Sequence, residues 1–337
     1  MGDRPASFRD LIAAALERRG DVIRRGRTQA FRALAGGPDG IDGVFVDVYG
    51  PFATLITHEG AAPARFDAIA AARDALAALS PLGVRAVYHK PFAKDRSRMG
   101  GEMPEGVTDP VPAAGEPQPE AVVVREHGWS LEVRPYDGLS TGLFLDQREN
   151  RAWVASWVRS RAGERQAAPA VLNTFAYTCA FSVAAATAGA IATSVDVSPR
   201  YLEWGRRNFA HNGLDAATHR FAKMDTFEFI GYARRKGLRY DLVILDPPSF
   251  AAGSKRKGIP PWSSVDDYAT LVKEAATLLD PRGVIFASTN TRELCRPGRL
   301  EREVREGLGR EPRLLRLPPP PLDFAAERGR FAAIAFS

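Results

Sequence analysis

Three aspartates each follow a short apolar run in the second half of the chain, and their spacing suggests a shared ligand site. The runs are IATSVD ending at Asp196, HRFAKMD ending at Asp225 and YDLVILD ending at Asp246. An acid at the end of the second strand of an open α/β sheet accepts hydrogen bonds from ribose hydroxyls, as in nucleoside-cofactor sites. Helix capping is the alternative for any one of them, above all for Asp196, which precedes Ser198-Pro199. Three acids at successive strand ends favour the shared site.

The third run continues as Asp246-Pro247-Pro248-Ser249-Phe250. Two prolines fix φ and remove two N–H donors, so we expect a rigid turn that presents its carbonyls and the Asp246 carboxylate outward. Such a turn is suited to holding a planar base, with Phe250 as a stacking surface. The alternatives are a Pro-Pro pair that only ends a strand and a Phe250 that belongs to the core.

The surrounding pattern predicts the fold that must position these residues. From about Tyr136, strand-like apolar runs alternate with helix-length stretches, which implies βαβ units and a parallel sheet with helices on both faces. We predict the α/β class: a doubly wound, Rossmann-like, seven-stranded sheet over residues 136–337, with RLLRL and RFAAIAFS as its last strands. A smaller α+β domain over residues 1–135 precedes it.

The first strand and turn of that sheet, VLNTFAYTCAFS at 171–182, contain no glycine. The G-x-G-x-x-G pattern that lets a backbone approach a pyrophosphate is therefore absent, which argues against NAD. S-adenosylmethionine has a ribose and an adenine but no phosphate, so its site does not need that approach.

The net charge points to a polyanionic partner, with compositional bias as the alternative. The chain has 337 residues and a formal charge of +6, and 39 of its 46 basic residues are arginine, whose planar fork suits phosphate. Arg24 and Arg25 lie in the densest basic stretch near either end, which is either a solvated helix face or a nucleic-acid contact. Lys255, Arg256 and Lys257 follow the expected base site, as phosphate-binding residues or as an ordinary surface loop.

Several classes are excluded by composition. Two cysteines cannot build a disulfide scaffold, and no apolar run reaches the roughly 18 to 20 residues of a membrane span. The N-terminus does not have a signal-peptide pattern, so we expect a cytoplasmic protein without membrane contact. The five histidines show no ligand spacing, so we expect no metal. Nothing in the sequence indicates an oligomeric state.

Four motifs together carry a family resemblance. LDPPSF, TGLFLDQRENR at 141–151, VLNTFAYTCAFS and SVDVSPRYLEWGRRNFAHNGLD at 194–215 resemble the class I S-adenosylmethionine-dependent ribosomal RNA methyltransferases. Two branches are similar: the large-subunit rRNA cytosine carbon-5 family, without its PUA domain, and the guanine-N7 half of the bifunctional large-subunit rRNA enzyme. The resemblance covers about residues 40–336.

The resemblance implies S-adenosylmethionine as cofactor, S-adenosylhomocysteine as product and RNA, in particular ribosomal RNA, as partner. It implies that Asp196 holds the ribose, that Asp225 with Thr226 holds the adenine edge, and that Arg148 pairs with the cofactor carboxylate. A salt bridge to Glu149 or a neighbouring acid is the alternative for Arg148. The resemblance also implies that the turn over residues 173–178 holds the methionine part of the cofactor, through Asn173, Thr174, Phe175, Ala176, Tyr177 and Thr178. The other implied cofactor residues are Phe144, Asp146, Gln147, Val197, Ser198 and Asp246.

Two departures from the family pattern bear on the chemistry. Cys179 and Ala180 stand where the family usually has glycine, which places a side chain against the cofactor turn. At the end of the fifth strand, the sequence of the cytosine branch is similar to Ser-Cys-Ser, whereas this chain has Ser288-Thr289-Asn290.

The second departure favours nitrogen methylation. Carbon 5 of cytosine needs a thiolate that adds to the ring, and Cys179 and Cys295 are expected to be incidental thiols. Guanine N7 has a bare lone pair and needs only alignment, and Asn290, a substrate-binding candidate, is similar to the strand-end asparagine of the guanine-N7 branch. We therefore predict RNA methylation at a base nitrogen, with guanine N7 favoured. Cytosine carbon-5 methylation, a non-RNA methyltransferase and a cofactor-binding regulator are the alternatives.

Overall fold

The computed structural model describes residues 7–24, 27–93, 103–253, 261–327 and 329–337. The chain divides into two compact units. The first unit contains Met1–Arg148 and Pro320–Glu327, and the second contains Glu149–Pro319 and Arg328–Ser337. The predicted boundary at residue 135 therefore differs from the division that the structure shows.

The first unit is an α+β unit built around a five-stranded sheet with strand order β1-β2-β3-β4-β5. Its elements are α1 (Phe8–Arg18), α2 (Gly20–Arg24), β1 (Ala30–Ala35), β2 (Val44–Tyr49), β3 (Phe52–His58), α3 (Ala68–Leu79), β4 (Ala86–Phe92), β5 (Ala114–Gly115), β6 (Val122–Glu126) and β7 (Trp129–Val133). β6 and β7 form a separate hairpin.

Side-chain contacts explain why this unit extends past residue 135. The Lys90 ammonium, buried in β4, donates to the Gly138 carbonyl. Arg148 is 3% exposed, and its guanidinium binds the Asp323 carboxylate, which brings the segment Pro320–Glu327 into the same unit. A local sequence pattern does not reveal a pair whose partners are 175 residues apart.

The second unit has a seven-stranded sheet of order β10-β9-β8-β11-β14-β16-β15. Its elements are α4 (Arg148–Arg165), β8 (Ala170–Thr174), α5 (Ala180–Thr187), β9 (Ile191–Asp196), α6 (Pro199–His211), β10 (Arg220–Lys223), α7 (Thr226–Arg235), β11 (Tyr240–Leu245), β12 (Phe250–Ala251), β13 (Trp262–Ser263), α8 (Ser264–Ala276), β14 (Leu279–Thr289), α9 (Arg299–Leu308), β15 (Leu314–Leu315) and β16 (Ala332–Phe336). The first five strands in this order are parallel to one another. β16 pairs antiparallel with β14, and β15 pairs antiparallel with β16. The predicted sheet and its last two strands are confirmed.

The two faces of the seven-stranded sheet bury different helices, as the doubly wound prediction requires. All six residues of β11 are buried, which explains its unbroken apolar run. Leu172 and Val243 pack with α7, α8 and α9, whereas Val171 and Ile244 pack with α4 and α5. Helices on both faces leave the carboxyl ends of the strands as the open edge for a ligand.

Candidate active site

The carboxyl ends of four parallel strands lie side by side at one edge of this sheet. Thr174 at the end of β8 pairs with Val195 of β9 and with Leu245 of β11, and Leu245 pairs with Ala287 of β14. Four features therefore meet at the same edge: the turn after β8, Asp196, the turn over residues 246–250 (the Asp246 turn) and the end of β14.

The turn after β8 is held in a strained backbone conformation. Phe175, Tyr177 and Cys179 have φ of 54°, 48° and 62°, a left-handed region that costs a residue with a side chain about 1–3 kcal/mol. The N–H of Tyr177 donates to Asp196 Oδ2 at 2.9 Å, which ties the turn to β9. Such strain persists only where the surroundings fix the backbone, so the turn has its shape before a ligand binds.

The buried polar side chains of this segment support the turn. Asn173 Nδ2 donates to Ser182 Oγ at 2.9 Å, and Thr174 Oγ1 donates to the Ile244 carbonyl at 2.7 Å. The Thr178 carbonyl accepts a bond from an asparagine of α6. These contacts assign supporting roles to Asn173 and Thr174, while the expected methionine-binding role of the turn stays a prediction.

Cys179 does not obstruct the turn as the sequence suggested. Its side chain is fully buried and packs against Gly205 of α6, where a Cβ would lie 2.3 Å from the Cys179 Sγ. The left-handed φ at Cys179 also explains why glycine is usual at this position in the family, since glycine adopts that region without strain.

This contact predicts that Gly205 and Cys179 are energetically coupled. Gly205→Ala is expected to destabilise the protein by about 1–3 kcal/mol, because the new methyl group overlaps the thiol. In a Cys179→Gly background the space is free, so the same substitution should cost much less. Urea unfolding of the two single variants and the double variant measures the coupling, and strictly additive free energies of unfolding would contradict it.

Asp196 is the best-placed group for a ribose. It is the last residue of β9 and is half-buried, and its two carboxylate oxygens accept the N–H groups of Tyr177 at 2.9 Å and Ser198 at 2.8 Å. Burial raises the pKa of Asp196, and the two backbone bonds oppose that effect. Each oxygen keeps acceptor capacity for a hydroxyl group. Ser198 rather than Asp196 caps α6, accepting from the Tyr201 N–H, so the capping alternative for Asp196 is wrong.

Asp225 caps a helix, which was the alternative role for each of the three aspartates. It is the N-cap of α7, and its Oδ1 accepts the N–H groups of Phe227 at 2.9 Å and Glu228 at 3.3 Å. Thr226 is buried in the first turn of the same helix. A role for Asp225 and Thr226 at the adenine edge stays a prediction, as does one for Val197, which is exposed beside Asp196.

The Asp246 turn does not present its Pro248 carbonyl outward, contrary to the sequence-based expectation. The Pro248 carbonyl accepts from Trp262 Nε1 at 2.7 Å and from Ser264 Oγ at 2.9 Å, so both of its lone pairs are used inside the protein. Phe250 is 64% exposed, which excludes the alternative of a core residue. The turn therefore presents an aromatic ring on a backbone that its neighbours hold in place.

The end of β14 supports this turn through groups that the sequence did not reveal. Ser288 Oγ donates to Asp246 Oδ1 at 2.6 Å, and the buried Tyr268 hydroxyl donates to the Ser288 carbonyl at 2.9 Å. Burial raises the pKa of Tyr268 well above its ordinary value, with the nearby Asp246 charge adding to the effect, so the hydroxyl stays a donor. Ser249 Oγ donates to Asn290 Oδ1 at 2.8 Å, which links the turn to the strand end. Only the Ser-Thr-Asn pattern signalled this strand end in the sequence.

Several predicted site residues lie elsewhere or outside the described residues. Arg148 is buried against Asp323 within the first unit, so the expected pairing of its guanidinium with a cofactor carboxylate is wrong. The alternative expected a salt bridge to Glu149 or a neighbouring acid, and the structure shows one to Asp323, 175 residues away in the sequence. Phe144, Asp146 and Gln147 also belong to the first unit, and their cofactor roles stay predictions.

The basic residues expected to bind RNA are only partly described. Arg25, Lys255, Arg256 and Lys257 lie outside the described residues. Arg24 is exposed and forms a surface ion pair with Asp21 at 2.8 Å, which is worth little in water and leaves its role in RNA binding a prediction.

Two absences hold for the described part of the chain. No helix there has both the length and the apolar character needed to span a bilayer. Within the same ranges, His, Cys, Asp and Glu side chains form no group of three or more that could hold a metal ion.

The doubly wound sheet is a fold that binds nucleoside cofactors at the carboxyl ends of its strands, and sequence comparison identifies the family of the chain. Residues 112–324 match the family described as S-adenosylmethionine-dependent methyltransferase, and the chain belongs to this family. It is thus a methyltransferase enzyme whose cofactor is S-adenosylmethionine. The residues of the site suit this cofactor, because the Asp196 oxygens supply the hydrogen-bond acceptors that its ribose requires.

Individual relatives agree with this assignment. YwbD of Bacillus subtilis, provisionally named a ribosomal RNA large subunit methyltransferase, is 36% identical over 287 residues, or 85% of this chain and 67% of YwbD. Ribosomal RNA large subunit methyltransferase K of Neisseria meningitidis is 37% identical over 50% of this chain and 46% of its own length. The solved structure of SMU.776, provisionally named a methyltransferase and in complex with S-adenosylhomocysteine, has 29% identity and a TM-score of 0.80, covering 99% of this chain and 83% of that one.

Proposed function

We propose that this methyltransferase acts on RNA of the large ribosomal subunit and transfers a methyl group directly to a base nitrogen, N7 of guanine. The names of YwbD and of methyltransferase K support the RNA, as does the net charge of +6. The observation that carries the choice of atom is the strand end Ser288-Thr289-Asn290, which lies against the Asp246 turn without a thiol of its own.

The residues of the site suit this reaction. S-adenosylmethionine, when bound, supplies an electrophilic methyl group. Guanine N7 has a lone pair and no proton, so the protein needs to orient the base rather than deprotonate it. The exposed Phe250 ring on its fixed turn offers a stacking surface. Guanine becomes positively charged when N7 is alkylated, and the Asp246 carboxylate stabilises that charge.

The environment of the thiols argues against the carbon-5 alternative. Cys295 is the thiol nearer to the strand end, with its Sγ donating to the Thr289 carbonyl at 3.5 Å. Burial raises the pKa of Cys295 to about 11 and that of Cys179 to about 12. Both are therefore protonated thiols near neutral pH, whereas addition to a cytosine ring requires a thiolate.

Transfer of labelled methyl groups tests the substrate class. The full chain is incubated with labelled S-adenosylmethionine and either large-subunit rRNA, small-subunit rRNA or a ribosomal protein fraction. We expect label in large-subunit rRNA that nuclease releases and protease does not. Label that survives nuclease treatment, or equal labelling of both RNAs, would contradict the proposed substrate.

A further inference from the structure

The amide of Asn290 has a defined orientation at the edge of the candidate site. Its Oδ1 accepts the hydroxyl proton of Ser249 at 2.8 Å. Since one end of the amide is occupied as an acceptor, the other end, Nδ2, remains as a hydrogen-bond donor. Asn290 is exposed, as are Ser249 and Phe250, so this donor lies at the surface beside Ser249 of the Asp246 turn.

Two carbonyls and the two prolines of the Asp246 turn do not duplicate that donor. The Pro248 carbonyl is saturated by Trp262 and Ser264, and the Ser249 carbonyl accepts the Ser264 N–H at 3.0 Å. Prolines 247 and 248 have no N–H to offer. Among these side chains, carbonyls and proline nitrogens, the Asn290 amide is the group whose free end donates.

Base edges differ in what they place next to the methylated atom. Guanine N7 is flanked by the O6 acceptor, and carbon 5 of uracil by the O4 acceptor. Adenine N7 and cytosine carbon 5 are each flanked by an amino group, which would oppose an amide donor. Methylation at carbon 5 also needs a thiolate, and the two thiols are buried with raised pKa values. Of these four atoms, guanine N7 is the one that satisfies both conditions.

We propose that Asn290 determines base specificity, with Nδ2 donating to O6 of the guanine whose N7 is methylated. The inference rests on the proposed function and adds to it a reason for rejecting adenine and cytosine. Ser249 acts here as a positioning residue, because its hydroxyl holds the amide in the donating orientation.

Asn290→Asp is the sharpest variant, since aspartate still accepts the Ser249 proton but has no N–H to donate. Asn290→Ala removes both functions. The substrates are two versions of the target RNA, made after the methylated nucleotide has been mapped with the wild-type protein. One version carries guanosine at that position, and the other carries 2-aminopurine riboside, which keeps N7 and lacks O6.

We expect the wild-type protein to lose about 10- to 100-fold in kcat/KM on the 2-aminopurine RNA, the discrimination of one good base contact. Both variants should lose a similar factor on the guanosine RNA and lose nothing further on the analogue. S-adenosylhomocysteine affinity, measured by calorimetry, should stay within about threefold, which separates a base contact from a general structural defect.

The failures of the two proposals are distinguishable. If the wild-type product is 7-methylguanosine but the variants still discriminate between the two RNAs as the wild type does, Asn290 does not read O6 and this inference is wrong. If the product is another nucleoside, both the inference and the proposed function are wrong.

Discussion

Asp246→Asn is expected to lower the rate of methyl transfer by about 100-fold, the scale of losing one group that stabilises charge in a transition state. Asparagine can still accept the proton of Ser288 Oγ, which now lies 2.6 Å from Asp246 Oδ1, so the turn should keep its shape. The variant therefore removes the negative charge and little else. Single-turnover kinetics with saturating cofactor and RNA measures the rate of the chemical step.

Asp215→Asn is the matched control for this charge change. Asp215 caps a short 3₁₀ turn after α6 by accepting the Ala217 N–H at 2.9 Å, and asparagine caps equally well. Its turnover should stay within about twofold of the wild type, since a cap exchange of this kind is nearly neutral. Full activity of Asp246→Asn would show that the carboxylate at the end of β11 is not part of the reaction.

Asp196→Ala is expected to weaken S-adenosylhomocysteine binding by at least about 100-fold. Two hydrogen bonds from ribose hydroxyls to a charged acceptor are lost, each worth about 1.5–3 kcal/mol. The N–H groups of Tyr177 and Ser198 also lose their acceptor, which loosens the strained turn after β8. Isothermal titration calorimetry with S-adenosylhomocysteine measures the affinity without any RNA.

Asp196→Asn separates the two parts of this effect. It keeps one acceptor oxygen and removes the charge, so its loss of affinity should fall between the wild type and Asp196→Ala. An affinity for S-adenosylhomocysteine that is unchanged in Asp196→Ala, in a protein that unfolds at the wild-type urea concentration, would place the cofactor elsewhere.

The features that the sequence predicts well are those with a local cause. A buried parallel strand requires an unbroken apolar run, so YDLVIL predicts β11 and the position of Asp246 at its end. The same reasoning predicts Asp196 at the end of β9. For Asp225 the local pattern fits both a ligand contact and a helix cap, and the structure shows the cap.

The features that the sequence does not predict depend on distant partners. Whether the Pro248 carbonyl faces outward depends on Trp262 and Ser264, which are 14 and 16 residues further along the chain. The destination of the Arg148 guanidinium depends on Asp323, in a segment that returns to the first unit. The sequence positions of these three partners follow no helical or strand period relative to the groups that they bind. The contacts therefore arise only in the folded chain, and a local pattern does not predict them.

Identification of the methylated nucleoside tests the central claim most directly. The full chain is incubated with large-subunit rRNA that lacks the modification and with S-adenosylmethionine, the RNA is digested to nucleosides, and the new product is identified by mass spectrometry. Direct transfer to a base nitrogen at this site predicts 7-methylguanosine. A 5-methylcytidine product that disappears in Cys295→Ser would contradict it, because carbon-5 chemistry requires a nucleophilic thiolate at the end of β14.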